Sequence, residues 1–146
     1  MVKKKVVERP KLTLSIGKRK EAVARAKITP GTGKILINSR PFELFGNEFI
    51  QMRLREPLLL AEEFAKKVDI EVNVSGGGIS GQVDAIRQAM ARGLVGFYAS
   101  EELKRKFLEY DRNLLIFDVR RCEPHHGSGR GASKRGSRRR KQKSKR

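Results

Sequence analysis

The chain has 146 residues, with 34 Lys or Arg against 16 Asp or Glu, for a formal charge of +18. The one cysteine excludes an intramolecular disulfide, and no apolar run approaches the ~20 residues needed to span a bilayer. The length leaves room for one ordinary domain, which can bury a core without a disulfide or metal staple.

A chain this basic repels itself and attracts polyanions. The basic run at the C-terminus has neither the apolar helix face nor the lipidation site of a membrane anchor, so nucleic acid is favoured over a membrane surface. Residues 1–11, MVKKKVVERPK, form a basic extension without the apolar stretch of a secretory signal. The expectation is a soluble intracellular protein, and the single thiol fits a reducing compartment.

The first element is KLTLSIG, where Leu12, Leu14 and Ile16 alternate with Thr13 and Ser15, a half-buried strand. After GKRKEA the period of two resumes, with Ala24, Ala26 and Ile28 on one side and Val23, Arg25 and Lys27 on the other. TPGTG is a turn, with Pro30 fixing φ, and KILIN returns as a partner strand. Together these read as a three-stranded antiparallel meander.

Asn47 can cap a helix running to about Arg55. Pro57 disfavours helical geometry at Glu56, so a break is expected there, with a second helix restarting at Pro57. LLLAEEFAKK then directs Leu58, Leu59, Phe64 and Ala65 toward a core. VDIEVNV alternates Val68, Ile70, Val72 and Val74 with polar residues and reads as a strand.

Beyond SGGGISG, residues Val83, Ile86, Met90, Leu94 and Phe97 fall at helical spacing, with Arg87, Gln88 and Arg92 off that stripe. Ser100 can cap a last helix through about Leu108, with Glu101 and Glu102 in its first turn. NLLIFDV is apolar and has no firm assignment. The fold class expected is α+β: a four-stranded, mostly antiparallel sheet with helices on one face, burying all these stripes together.

The last twenty residues hold ten Lys or Arg, no acid and no large apolar side chain. They cannot build a core and read as an extended, disordered basic tail. Residues 1–11, 12–122 and 123–146 are therefore the expected extension, globular domain and tail.

VSGGGISGQ joins a strand to a helix. Gly76, Gly77 and Gly78 can present bare N–H groups to a phosphate, aided by the helix dipole. That phosphate belongs to a nucleic acid or, in an enzyme, to a nucleotide. The structural alternative is a turn that lets the helix pack closely. No Gly-Lys-Ser/Thr closes the loop, so it is not a Walker motif. Lys18, Arg19 and Lys20 form a cationic turn that is either a solvated loop or a phosphate contact. Arg25 and Lys27 extend that patch along one strand face.

CEPHH offers Cys122, His125 and His126, too few and too crowded for a structural zinc site. The alternative to zinc is a loop whose imidazoles stack on bases or hydrogen-bond phosphate, and the role of the three stays open. No nucleophile lies beside a base. Asp84 and Glu71 could meet in space, but no motif marks them.

These stretches together resemble small-ribosomal-subunit protein nine, called sixteen in eukaryotic counting. The resemblance is carried by GKRKEAVARAKITPGTGKILINSRP, VSGGGISGQVDAIRQAMARGL, DVRRCEP and the terminal SKR. RRCEP points to the archaeal and eukaryotic branch. The family implies a fold like the second domain of small-subunit ribosomal protein five, with a left-handed βαβ crossover. It also implies a place in the head of the small subunit, on its large RNA, beside proteins seven, ten and fourteen. Its tail threads to the anticodon stem-loop of peptidyl-site transfer RNA.

Carried onto this chain, the RNA-contacting candidates in the body are Lys18, Arg19, Lys20, Arg25, Lys27, Gly76, Gly77, Gly78, Gln82, Arg87, Arg92 and Arg120. Beyond the body they are Arg121, Arg130, Lys134, Arg135, Arg138, Arg139, Arg140, Lys141 and Lys143. Ser144, Lys145 and Arg146 are expected at the transfer RNA. No cofactor, metal, membrane or homo-oligomer is expected, and no enzymatic activity. The competing readings are a free RNA- or DNA-binding protein and a kinase-like enzyme of related fold.

Overall fold

The computed structural model describes residues 12–120. Strand β1 spans Thr13–Arg19, β2 Ala22–Pro30, β3 Ile35–Ile37, β4 Arg40–Pro41 and β5 Val68–Ser75. Helix α1 spans Glu48–Ala61, α2 Glu63–Lys66, α3 Ile79–Tyr98 and α4 Glu101–Tyr110. The architecture is α+β, as expected from the alternation of two-residue and helical periods.

The sheet differs from the expected four-stranded meander. It has five strands in the order β1-β2-β5-β3-β4. β5 takes the edge of β2 expected for β3, pairing antiparallel over eight residues from Val23↔Ser75 to Pro30↔Val68. β3 pairs parallel to β5 instead. Length decides the competition, because eight residues of β5 offer β2 a far longer ladder than three residues of β3. Asn38 then prolongs the parallel pairing: its side chain accepts from Val74 N–H at 2.8 Å and donates to Val74 O at 3.2 Å. The extra strand β4 is a two-residue return beyond Asn38 and Ser39, both at positive φ. Nothing so short leaves a periodic signal.

β5 buries Val68, Ile70, Val72 and Val74, and β2 buries Ala24, Ala26 and Ile28, both on the faces expected. β1 does the opposite. Its aliphatic side is exposed, with Leu14 73% and Ile16 50% accessible. Thr13, Ser15 and Gly17 face α3 instead. The cause is close packing. A Cβ on Gly17 would lie 1.9 Å from Ala85 O, so the helix backbone sits directly on the strand. Ser15 Oγ donates to Ala89 O at 2.6 Å across the same seam. Only small residues fit there, and alternation forces the large ones outward.

The break expected at Glu56–Pro57 is absent. α1 continues through Pro57 to Ala61, because Leu54, Pro57 and Ala61 share one buried face. The proline's missing N–H and the loss of one helical bond are outweighed by that burial. The chain turns instead at Glu62, at φ 46°. Leu59, expected in the core, is 71% exposed. α4 begins as expected, with Ser100 Oγ accepting from Leu103 N–H at 3.4 Å.

Val83, Ile86, Met90 and Leu94 of α3 form the central core with Ile28, Ile70, Phe107 and Leu114. Arg87 and Gln88, expected off the buried stripe, are only 7% and 4% exposed. α3 is enclosed by the sheet, by α1 and by residues after α4, so its polar side is also covered. NLLIFDV begins within a 3-10 turn at Arg112–Leu114 and continues as an irregular segment with a turn at Leu115.

Candidate nucleic-acid interface

The glycine loop and the cationic turn lie against each other. Gly76 and Gly77 adopt φ of 77° and 65°. A Cβ on Gly76 would come within 2.6 Å of Glu21 O, and one on Gly77 within 3.0 Å of Ala22 N. Close packing, the structural alternative for these glycines, thus applies to both. Gly78 is different: a Cβ there would meet nothing within 4 Å. It is the N-cap of the 20-residue α3, supplies no side-chain cap, and has no acid in the following turn. The first amides of α3 therefore have no side-chain partner among the described residues. Gln82 shapes the loop, donating from Nε2 to Gly76 O at 3.1 Å.

Beside this helix start, Lys18 and Lys20 are exposed, and Lys20 takes φ 54° at the tip of the turn. Neither they nor Arg25 has an ion-pair partner among the described residues. Arg25 and Lys27 stand on the open face of the sheet, cross-strand from Ile16 and Leu14. Lys27 Nζ lies 3.7 Å from the Glu71 carboxylate. The turn that carries Lys18 and Lys20 and the α3 N-terminus thus share one rim, while Arg25 stands apart on the open sheet face.

The remaining body candidates have protein partners. Arg19 pairs with Asp118 and, at 3.7 Å, with Asp84. Arg87 is buried against Glu56 and lies 3.6 Å from Asp84. Arg92 donates to Ile16 O at 3.2 Å and stacks over Phe117 at 4.1 Å. Arg120 is mostly exposed, with its Nε 3.5 Å from Asp118. Arg121, Arg130, Lys134, Arg135, Arg138, Arg139, Arg140, Lys141, Lys143, Ser144, Lys145 and Arg146 lie outside the described residues. So do Cys122, His125 and His126.

A polar cleft of about 250 Å³ opens beside the rim, with Lys18, Arg53, Asp84, Arg87 and Asp118 among its lining. Arg53 donates to Asp84 at 2.8 Å, so one carboxylate serves three guanidinium groups. Arg53, Asp84 and Asp118 carried no signal in the sequence, since they come from α1, α3 and the C-terminal segment. Asp84 and Glu71 do not meet: Asp84 lies in this cleft and Glu71 on the open sheet face.

Asp69 organises the other end of the sheet. Its Oδ1 accepts from Thr32 N–H at 2.8 Å and Lys34 N–H at 2.9 Å. Lys34 N–H first, then Thr32 N–H, hold its carboxyl below the usual aspartate value. Burial pushes the Tyr98 phenol up, and its hydroxyl donates to Phe64 O at 2.8 Å. Among the described residues no group of three or more His, Cys, Asp or Glu could hold a metal, and no helix could cross a membrane.

Fold and rim define a class first: a small basic α+β protein whose free cations gather around a bare helix start. The family described as ribosomal protein S9/S16 matches residues 17–146. The chain is 54% identical over 116 residues to small ribosomal subunit protein uS9 of Pyrobaculum aerophilum, covering 80% of this chain and 82% of that one. It is 46% identical over 134 residues to uS9 of Methanococcus maripaludis, covering 92% and 98%. A third uS9, from Thermoplasma volcanium, is 48% identical over 119 residues, covering 82% and 90%. The chain belongs to the ribosomal protein S9/S16 family. These relatives are archaeal, in agreement with the branch expected from RRCEP.

Proposed function

We propose that this chain is a non-enzymatic structural constituent of the small ribosomal subunit, acting in translation in the cytoplasm. Residues 12–122 bind the subunit's RNA, and residues 123–146 reach the anticodon stem-loop of peptidyl-site transfer RNA through Ser144, Lys145 and Arg146. Neighbouring proteins of the subunit head, numbered seven, ten and fourteen, complete its surroundings. Family membership and the names of the relatives support the subunit assignment.

The observation carrying the RNA contact is the packing of Gly77 against Ala22, which sets the α3 amides beside Lys18 and Lys20. Amides and ammonium groups on one rim can hold successive phosphates of a folded RNA. Residues 127–146 add ten cations without one acid among them to oppose them. Neutralised by phosphate, such a segment fits between RNA helices without needing a core of its own.

The test is transfer RNA dissociation from subunits carrying the full-length chain or a chain lacking Ser144–Arg146, at several salt concentrations. Assembly should persist. Peptidyl-site affinity should fall by about 1–2 kcal/mol, the order of one or two charge-assisted hydrogen bonds. Equal rates at every salt would rule out the transfer RNA contact. Failure to assemble would instead make the tip a structural part of the head.

A further inference from the structure

The segment from Asn113 to Asp118 runs beside the free edge of β1, and side chains link the two. Gln88 Oε1 accepts from Lys18 N–H at 2.8 Å, while its Nε2 donates to Asn113 O at 3.1 Å and Ile116 O at 2.7 Å. One turn along α3, Arg92 donates to Ile16 O and places its guanidinium over the Phe117 ring. Arg19, at the end of β1, pairs with Asp118. Asp118 Oδ1 then accepts from Arg120 N–H at 3.0 Å, turning the chain.

Leu114 and Leu115 pack against the core, but apolar burial explains little of this beyond them. Ile116 is 44% and Val119 90% exposed. Polar bonds and one cation–π contact hold residues 116–118 in place. They also occupy edge groups of β1 that would otherwise be open to pairing. Gln88 uses its acceptor and both donors on three backbone groups, which accounts for a glutamine in the middle of a buried helix.

We infer that Gln88, Arg92 and Arg19 are positioning residues that fix where the basic C-terminal segment leaves the body, next to the Lys18–Lys20 turn. Releasing residues 113–120 would let that origin wander by up to about 25 Å, at roughly 3.3 Å per extended residue. The use of this clamp rests on the RNA-binding role proposed above; its existence does not.

Cys122 is the chain's only thiol and lies two residues past the clamped segment. A nitroxide there, on the full-length protein without RNA, reports the motion of the exit. The wild type should show a slow-motion spectral component. Arg92→Ala and Phe117→Ala should lose it while the unfolding midpoint stays in place, and Arg92→Lys should restore part of it. Gln88→Leu, recorded well below its own midpoint, should lose it completely. The same fast spectrum in wild type and variants would overturn the clamp. So would loss of the slow component only in step with global unfolding. Because this probe needs no RNA, it judges the clamp even if removing Ser144–Arg146 leaves transfer RNA release unchanged.

Discussion

Gln88 binds Lys18 and Ile116 with one side chain, accepting from the first at 2.8 Å and donating to the second at 2.7 Å. A helix residue thereby joins the first strand to the last described segment. Truncation should be costly, because three backbone groups lose their partner at once. Gln88→Leu should lower stability by about 2–3 kcal/mol, the range for leaving partly buried polar groups unpaired. Urea unfolding of the full-length protein measures it.

The seam between β1 and α3 predicts an unequal pair of glycine variants. A Cβ on Gly17 meets helix backbone at 1.9 Å, whereas one on Gly93 meets the Ile28 and Ser15 side chains at 2.5 and 2.7 Å. Side chains can rotate away; the Ala85 carbonyl cannot. Gly17→Ala should cost about 3 kcal/mol or more, and Gly93→Ala clearly less. Thermal unfolding of both variants should rank them in that order.

Asp69 makes stability acid-sensitive. Its folded pKa is lowered by the Lys34 and Thr32 amides. Its contribution is therefore fully present above the unfolded aspartate pKa and is lost as pH falls through the lower, folded value. Asp69→Ala should weaken the protein at neutral pH and flatten the acid limb of its stability curve. Denaturant midpoints measured from neutral pH down into the acid range would show both effects.

Lys18 and Lys20 should behave differently from Arg19 in RNA binding, although the three are consecutive. The two lysines have no ion-pair partner among the described residues, and Arg19 is held by Asp84 and Asp118. Replacing both lysines with Ala should reduce the log–log salt slope by about 1.4 to 1.8, near 0.7–0.9 per lost phosphate contact. Arg19→Gln should change the slope little and lower stability instead. Filter binding to small-subunit RNA across a salt series tests the contrast.

The amino-acid sequence by itself determined the elements with strong local signals. Alternation in VDIEVNV and in the Ala24–Ile28 side of β2 marked two strands and their buried faces. Apolar spacing from Val83 to Phe97 marked α3, and Ser100 marked the start of α4. Charge and the order of several motifs pointed to RNA and to the family. These signals are local: each depends on the period of one element or on composition.

Only the tertiary structure decided what depends on proximity between distant segments. The place of β5 between β2 and β3 rests on the relative lengths of competing ladders. The outward turn of Leu14 and Ile16 rests on how closely α3 approaches Gly17. Which cations remain free was equally hidden, because Arg19 and Lys18 look alike in sequence. Their difference comes from Asp84 and Asp118, brought to Arg19 by a helix and a segment about 65 and 99 residues further along the chain. Side-chain pairing across such separations has no periodicity to read, so it is fixed only when the core closes.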